Sequence, residues 1–383
     1  MIYIANARIP SEKAHPLQVM KMSEAFSFRN IDLHLIIPYR HQTKYMKRVT
    51  DIWGYYGIER NCFNIKKVPC IDLLSFSTNY SNDVQFSIFL LQALSFSLFA
   101  AVNCFFKNGV FYTRDPYSAL VLSYFKKNVF LELHTLTRIG YAATSRATGI
   151  IALTKHLKNK LVDCGINREK ILVAPDGVDL QKFNLSLGKE EACNLLNLPI
   201  EGKIVTYTGH LFSWKGIDIL IETAKILPDI NFLIVGGTES DQKKYREKIH
   251  VKSIKNVSII GHYPPSIIPQ FLKAADILVL PNSGKEKISC YYTSPLKMFE
   301  YMAAARPIVA TDLPSLREIL NEENAILVKP DDPKALAEGI KVALEDKELA
   351  KRISEKAFED VQQYSWEKRA ERIARFIEAI LEK

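Results

Sequence analysis

At 383 residues the chain is too long for one ordinary core, and 48% apolar with 24% charged residues is the balance of a folded globular protein, which excludes disordered and fibrous classes. The net charge of +9 lies wholly in the first half: residues 1–180 carry 22 Lys+Arg against 13 Asp+Glu, and the rest carry 29 against 29. Such a one-sided basic surface suits anionic lipid headgroups, nucleic acid or an acidic substrate, or serves only as a solubilising face.

In chain order, MIYIANARIP lacks the basic-then-apolar pattern of a secretory signal. Short apolar runs in the first half predict strands at 2–5, 32–37, 109–112, 129–133, 149–153 and 171–174. The uncharged segment 84–106 is long enough to span a bilayer, but Gln85, Gln92, Asn103 and three serines interrupt it. A buried helix is the first expectation for it, a membrane-surface helix the second and a true span the third. The turn-rich APDGVD at 174–179 closes the first half. Strands are expected again at 204–208, 231–235, 257–260, 277–280, 307–310 and 325–328, with helices at 217–227 and 294–305. Repeated βα units imply a doubly wound parallel sheet, occurring twice. Segment 366–382 reads as an amphipathic helix with Trp366, Ile373, Phe376, Ile377 and Ile380 on one side and charges elsewhere. The cysteines (Cys62, Cys70, Cys104, Cys164, Cys193, Cys290) form no C-x-x-C pair and have no His partners at zinc spacing, as in a reduced cytosolic chain.

Ligands of open α/β sheets bind beyond the carboxyl ends of strands, often at helix N-termini. Four places fit. In YTSPLKMFE, from Tyr292 through Thr293 to Glu300, Ser294 is the expected N-cap and Pro295 the first helical residue, so free amides near Leu296 can hold a diphosphate. Glu300 can accept hydrogen bonds from two ribose hydroxyls; a paired surface Glu on an ordinary capped helix is the alternative. In TGHLFSWKG, Gly209 permits close ligand approach and Lys215 can pair with a phosphate, or be a plain surface lysine before a helix. The polar loop 6–15 carries Arg8, Glu12 and His15 but no G-x-G-x-x-G. His134 ends a strand in ELHT and is expected to face the cleft, a structural histidine being the alternative, while Arg114-Asp115 follows another strand and is placed to line the acceptor side. No D-x-D beside a strand, H-x-x-x-H, Cys/His cluster or P-loop occurs, so no metal ligand set and no cofactor is expected.

The run SPLKMFEYMAAARPIVATDLPSLREIL at 294–320 strongly resembles the donor segment of glycosyltransferase family 4, retaining enzymes of the GT-B fold, and matches their SPLK-motif subgroup. YTGHLFSWKGIDILIETA is similar to that family's strand–loop–helix with a phosphate-binding lysine, APDGVDLQKF to its interdomain hinge, and YSWEKRAERI to its crossover helix. NARIPSEKAHPLQVMKMSEAF resembles the first βα unit of a subgroup. The resemblance implies two Rossmann-like domains facing across a cleft: an acceptor domain at 1–178, a nucleotide-sugar domain at 179–365, and a crossover helix at 366–383 returning to the first. It further implies closure about 176–179, Glu300 on the ribose, Lys215 on the diphosphate, and His134 facing the donor sugar. Two positions depart from the pattern: Tyr292 stands where many members have an acidic residue, and His210 where an arginine is usual.

The function so implied is retaining, metal-independent transfer of a sugar from a nucleotide-sugar to a hydroxyl of a glycan or lipid-linked acceptor. The expected setting is cytoplasmic, peripheral on an anionic membrane surface, with no nucleic-acid partner. The alternatives are another GT-B enzyme, such as an epimerase or phosphorylase, and a non-catalytic nucleotide-sugar-binding or assembly protein.

Overall fold

Runs of apolar, β-branched residues too short for helices settle as parallel strands covered on both faces. The computed structural model describes residues 1–74, 80–199 and 201–382. The chain divides into two compact units, Met1–Pro175 with Trp366–Lys383, and Asp176–Ser365. The break falls at the head of the Pro-Asp-Gly turn, slightly before residue 178, and Lys383, the end of the expected crossover segment, lies outside the described residues.

The first unit holds β1 (Ile2–Ile4), β2 (His34–Pro38), β3 (Asn64–Val68), β4 (Phe111–Thr113), β5 (Val129–Leu133), β6 (Gly149–Ala152) and β7 (Ile171–Val173). They form one parallel sheet in the order β3-β2-β1-β4-β5-β6-β7. The second unit holds β8 (Lys203–Thr208), β9 (Ile230–Val235), β10 (Val257–Gly261), β11 (Ile277–Leu280), β12 (Ile308–Thr311) and β13 (Ile326–Val328), parallel in the order β10-β9-β8-β11-β12-β13. Both sheets reverse their winding direction beside the first strand, between β1 and β4 and between β8 and β11. Loops diverge at such a switch point and leave a crevice at the carboxyl edge.

Strand β3 was not expected. Its sequence NIKKV has no apolar run, because it pairs only with β2 at the sheet edge and leaves Lys66 and Lys67 exposed. Edge lysines of this kind discourage pairing with another chain.

Period-2 alternation splits the core of the second unit. Ile277 and Val279 pack with Val205, Tyr207, Leu220 and Ile340 on one face. Leu278 and Leu280 pack with Met298, Phe299, Tyr301 and Met302 on the other. The second set anchors the helix Leu296–Ala303 against the sheet, and so fixes where its polar residues point.

The helix Asn82–Cys104 corrects the first expectation for segment 84–106, that of a buried helix. It buries Ala93, Phe96, Ser97, Ala100 and Cys104, one stripe at helical spacing. Its other face exposes Phe86, Leu94, Leu98, Phe99 and Val102. By length and composition alone it is the one described helix able to cross a membrane.

The C-terminal helix Trp366–Leu381 belongs to the first unit, burying Trp366, Ile373 and Ile377, with Phe376 edge-on to Phe130 at 6.5 Å. Arg369, expected among the outward charges, is instead completely buried. It stands three residues after Trp366 and four before Ile373, so helical spacing places it on the apolar stripe.

Candidate functional site

In the second unit the site grows from the carboxyl ends of β8 and β11. β8 ends at Thr208, whose N–H donates to the Tyr301 hydroxyl at 2.8 Å. Gly209 then turns at φ +118, a conformation closed to most side chains, while the Tyr207 hydroxyl donates to the His210 carbonyl at 2.6 Å. The loop runs out as an aromatic ladder: His210 stacks on Phe212 at 5.1 Å, Phe212 lies parallel to Trp214 at 6.2 Å, and Lys215 Nζ sits 3.9 Å over the Trp214 ring. Gly216, at φ +76, closes the loop; a Cβ there would lie 1.7 Å from the Pro281 carbonyl oxygen. The Ser283 N–H donates to the Trp214 carbonyl at 2.9 Å, so the loops flanking the switch point are tied together. Lys215 is buried, and that burial brings its ammonium down to about 7.

The expected helix start is displaced by one residue. Pro295 has extended backbone (ψ 127) and occupies the N-cap; the helix begins at Leu296. Ser294 is therefore not the cap. Its hydroxyl accepts from the Asp176 N–H at 3.3 Å, tying the start of this unit to the segment before the helix Leu296–Ala303. Tyr292 ends a five-residue π turn, Ile288–Tyr292, and Thr293 links that turn to Ser294 in extended conformation. Glu300 follows one turn into the helix, where burial pushes its carboxyl up to about 7 against the opposing pull of Lys297.

Lys297 was passed over by the sequence reading. Its side chain is buried, its Nζ lies 3.5 Å over the Tyr207 ring, and no hydrogen-bond partner reaches that nitrogen. Burial holds it well below the usual lysine range, and Lys215 lowers it further. Lys215, Lys297 and Glu300 thus form one electrostatic group, with the backbone of Gly209 beside it.

In the first unit β5 carries Glu132, fully buried, and just beyond it His134. His134 Nε2 lies 2.7 Å from Glu132 Oε1, and Arg114 Nη2 lies 3.2 Å from Nδ1. Arginine can only donate, so Nδ1 accepts and the ring proton points from Nε2 to Glu132. Both ring nitrogens are therefore engaged, which fixes the orientation of the imidazole. Gln18, also missed by the sequence reading, donates to Glu132 at 2.6 Å and accepts from Arg114. Arg369 and the Tyr112 hydroxyl complete the shell around Glu132. Burial alone would raise the Glu132 carboxyl, but Arg369 and His134 hold it well below the usual range.

The other expected residues fall around this centre with different roles. Arg8 and Glu12 pair with each other, bidentate at 2.8 and 2.9 Å. His15 is held well below the ordinary histidine value by burial and by Arg114 and His134, so it is neutral. Asp115 corrects its reading as an acceptor-lining group. It caps the helix Pro116–Leu122, accepting from the Ser118 N–H at 3.1 Å and its hydroxyl at 2.6 Å, and is buried there. Asn6 anchors the 6–15 loop through reciprocal amide hydrogen bonds with Gln92, at 3.2 and 2.9 Å. Among the described residues no three His, Cys, Asp or Glu side chains are grouped to hold a metal ion.

Comparison with known proteins places these features in context. The model of the family described as Glycosyl transferases group 1 matches residues 189–360. An uncharacterized glycosyltransferase of Methanocaldococcus jannaschii is 28% identical over 59% of this chain and 59% of its own length. A phosphatidyl-myo-inositol mannosyltransferase of Mycobacterium tuberculosis is 28% identical over 54% of this chain and 53% of its own. The chain thus spans little more than half the length of the curated relatives it matches. Among solved structures, sucrose-phosphate synthase from Thermosynechococcus elongatus aligns over 99% of this chain and 98% of its own at a TM-score of 0.78 and 18% identity. Anabaena HepE in complex with UDP-glucose aligns over 99% and 100% at a TM-score of 0.75 and 16% identity.

Proposed function

We propose that this chain, which has the GT-B fold and through residues 189–360 belongs to the glycosyl transferases group 1 family, moves a sugar from a nucleotide-sugar to an acceptor hydroxyl with retention and without a metal. The observation that carries this reading is the buried Lys215 and the half-buried Glu300 beside the start of the helix Leu296–Ala303, at the switch point and inside the matched segment. A cation and helix amides suit a diphosphate, and a carboxylate suits vicinal ribose hydroxyls. A neighbour solved with UDP-glucose supports a nucleotide-sugar donor.

The chemistry follows from those groups. The acceptor hydroxyl attacks the anomeric carbon on the face the diphosphate leaves. The carbon–oxygen bond to phosphate breaks, the new glycosidic bond forms, and the hydroxyl proton passes to the departing phosphate oxygen. Lys215 and the helix amides carry the developing charge. We assign the Arg114–His134–Glu132 cluster and the 6–15 loop to the sugar and acceptor side, with Tyr292 and His210 as the positions that set donor preference.

Thermal shift and donor hydrolysis with UDP-, GDP-, ADP- and dTDP-sugars in the presence of EDTA test the reading. One nucleotide is expected to stabilise the protein and be hydrolysed. Glu300→Ala should weaken its binding by about tenfold or more, the worth of a buried charged hydrogen bond. Donor affinity unchanged in that variant would sink the ribose assignment, and binding without turnover in the presence of acceptors would favour a non-catalytic protein.

For the acceptor we propose a lipid-linked hydroxyl at an anionic membrane surface. The exposed face of the helix Asn82–Cys104 ends in Phe105 and Phe106, 5.1 Å apart, with Phe125 beside them. Lys126 binds the carbonyls of Phe105 and Lys107 at 2.8 and 2.6 Å, and Arg146 stacks on Tyr124 at 4.1 Å. Aromatic side chains ringed by cations are suited to a headgroup layer. Sedimentation with phosphatidylglycerol-containing vesicles is expected to exceed that with neutral vesicles and to fall on Val102→Ser with Phe106→Ser. Equal binding to both vesicle types argues against this surface.

A further inference from the structure

Lys297 is a buried lysine for whose amine the folded chain supplies no hydrogen-bonded counter-ion. Its Nζ has no hydrogen-bond partner, and its neighbours are the face of the Tyr207 ring at 3.5 Å and the backbone of Gly209, where even a Cβ would intrude to 3.1 Å. The groups facing it are Lys215 from the loop after β8, Glu300 from its own helix, and the Tyr207 ring. A ring face offsets only part of the cost of burying an ammonium, and a second buried lysine adds to that cost. A structural lysine with this surrounding has an obvious replacement in methionine, which fills the same volume without charge. The charge has a use only when an anion arrives.

We propose that Lys297 is a further anion-binding group of the donor pocket, neutral in the free protein, and that a nucleoside diphosphate recruits a proton to its Nζ on binding. The inference rests on the donor reading of this site and adds a residue and a proton to it. The proton comes from solvent and no bond other than N–H forms. Burial holds both lysines below their ordinary range, Lys215 at about 7, and a diphosphate beside them favours the charged form of each. The electrostatic attraction that drives donor binding is thereby confined to the complex. In the free protein the two cations do not repel each other at full strength.

Isothermal titration of the full chain with UDP, GDP, ADP and inorganic pyrophosphate, at about pH 8 in two buffers of different ionisation enthalpy, counts the protons taken up. Wild type is expected to take up close to two protons per bound nucleotide, and Lys297→Met close to one, with affinity lower by about tenfold to a hundredfold. Unchanged affinity or an unchanged proton count in Lys297→Met overturns the assignment. Wild type alone supplies a second measure that needs no variant to fold. Above about pH 8 its dissociation constant should rise by about two decades per pH unit, whereas a slope of one overturns the Lys297 proton. If wild type binds none of the four ligands, the donor reading itself fails, a result distinct from a failure of Lys297 alone.

Discussion

Lys215→Ala is expected to lower kcat/KM for sugar transfer by about a hundredfold to a thousandfold, the usual loss when one preorganised donor to a developing negative charge is removed. The position leaves the lysine little freedom. Gly216 cannot accept a Cβ against the Pro281 carbonyl, Ser283 holds the Trp214 carbonyl, and the Trp214 ring lies under the ammonium. A cation so fixed needs no reorganisation as the leaving diphosphate gains charge. Its ammonium, at about 7, also sets a pH signature. The charged form binds the diphosphate, so donor affinity should fall as pH rises above about 7 and level off below it. Lys215→Arg, which cannot discharge, should make that profile shallower if it folds.

The same group has an opposite effect on stability. Its folded value is depressed from 10.5 to about 7, so the stability linked to it is complete above the unfolded value and is lost as pH falls from there through about 7. Lys215→Met is therefore expected to melt higher than wild type at neutral pH while transferring sugar far more slowly. Initial transfer rates and melting temperatures of the three variants check this. A rate within a factor of about two of wild type would remove Lys215 from the chemistry, because a contact worth only that much carries about 0.4 kcal/mol.

How far the sequence reaches is clearest where it stops. Strand β11 ends where its apolar run ends, because a strand covered on both faces seldom admits a polar residue, and β5 admits Glu132 only because partners from distant segments surround it. Strand β3 is invisible for the converse reason, since an edge strand is half solvated and NIKKV reads as loop. Residue type alone places Ser294 at the helix cap, but the Pro295 backbone dihedral decides, and the serine hydroxyl is taken by Asp176. Lys297 lies in plain view in the SPLK run. A lysine in a first helical turn normally reads as solvated, and only the tertiary position of the Tyr207 ring reveals it as buried. Gln18 and Arg369 act on Glu132 from 114 and 237 residues away, separations at which no local pattern speaks.

Arg369→Met is expected to destabilise the first unit by about 3–5 kcal/mol, the range for leaving one member of a buried ion pair without its partner. Arg369 and Glu132 are both fully buried, 3.2 Å apart. The guanidinium also donates to the Pro175 carbonyl at 2.7 Å and the Ala174 carbonyl at 3.1 Å. These are the last residues of the first unit before the chain leaves it, and Arg369 lies on the helix by which the chain returns. One side chain therefore ties the exit, the return and the carboxylate that orients His134. Methionine keeps the apolar stem of the side chain and removes only the charge and its donors. Urea denaturation should show the first unit's transition at lower concentration in the variant. Glu132→Gln combined with Arg369→Met should recover part of the loss, because no charge is then stranded. The pH dependence gives the sign independently. Glu132 is depressed, so its contribution is present above the ordinary glutamate value and is lost as pH falls through the folded one. Without Arg369 that loss should begin at higher pH, and His134, deprived of a charged Glu132, should turn out of register before the sheet itself yields. A variant as stable as wild type at neutral pH, with an unchanged acid limb, would mean that His134 and Gln18 suffice to hold the Glu132 charge, and that Arg369 serves only the two carbonyls.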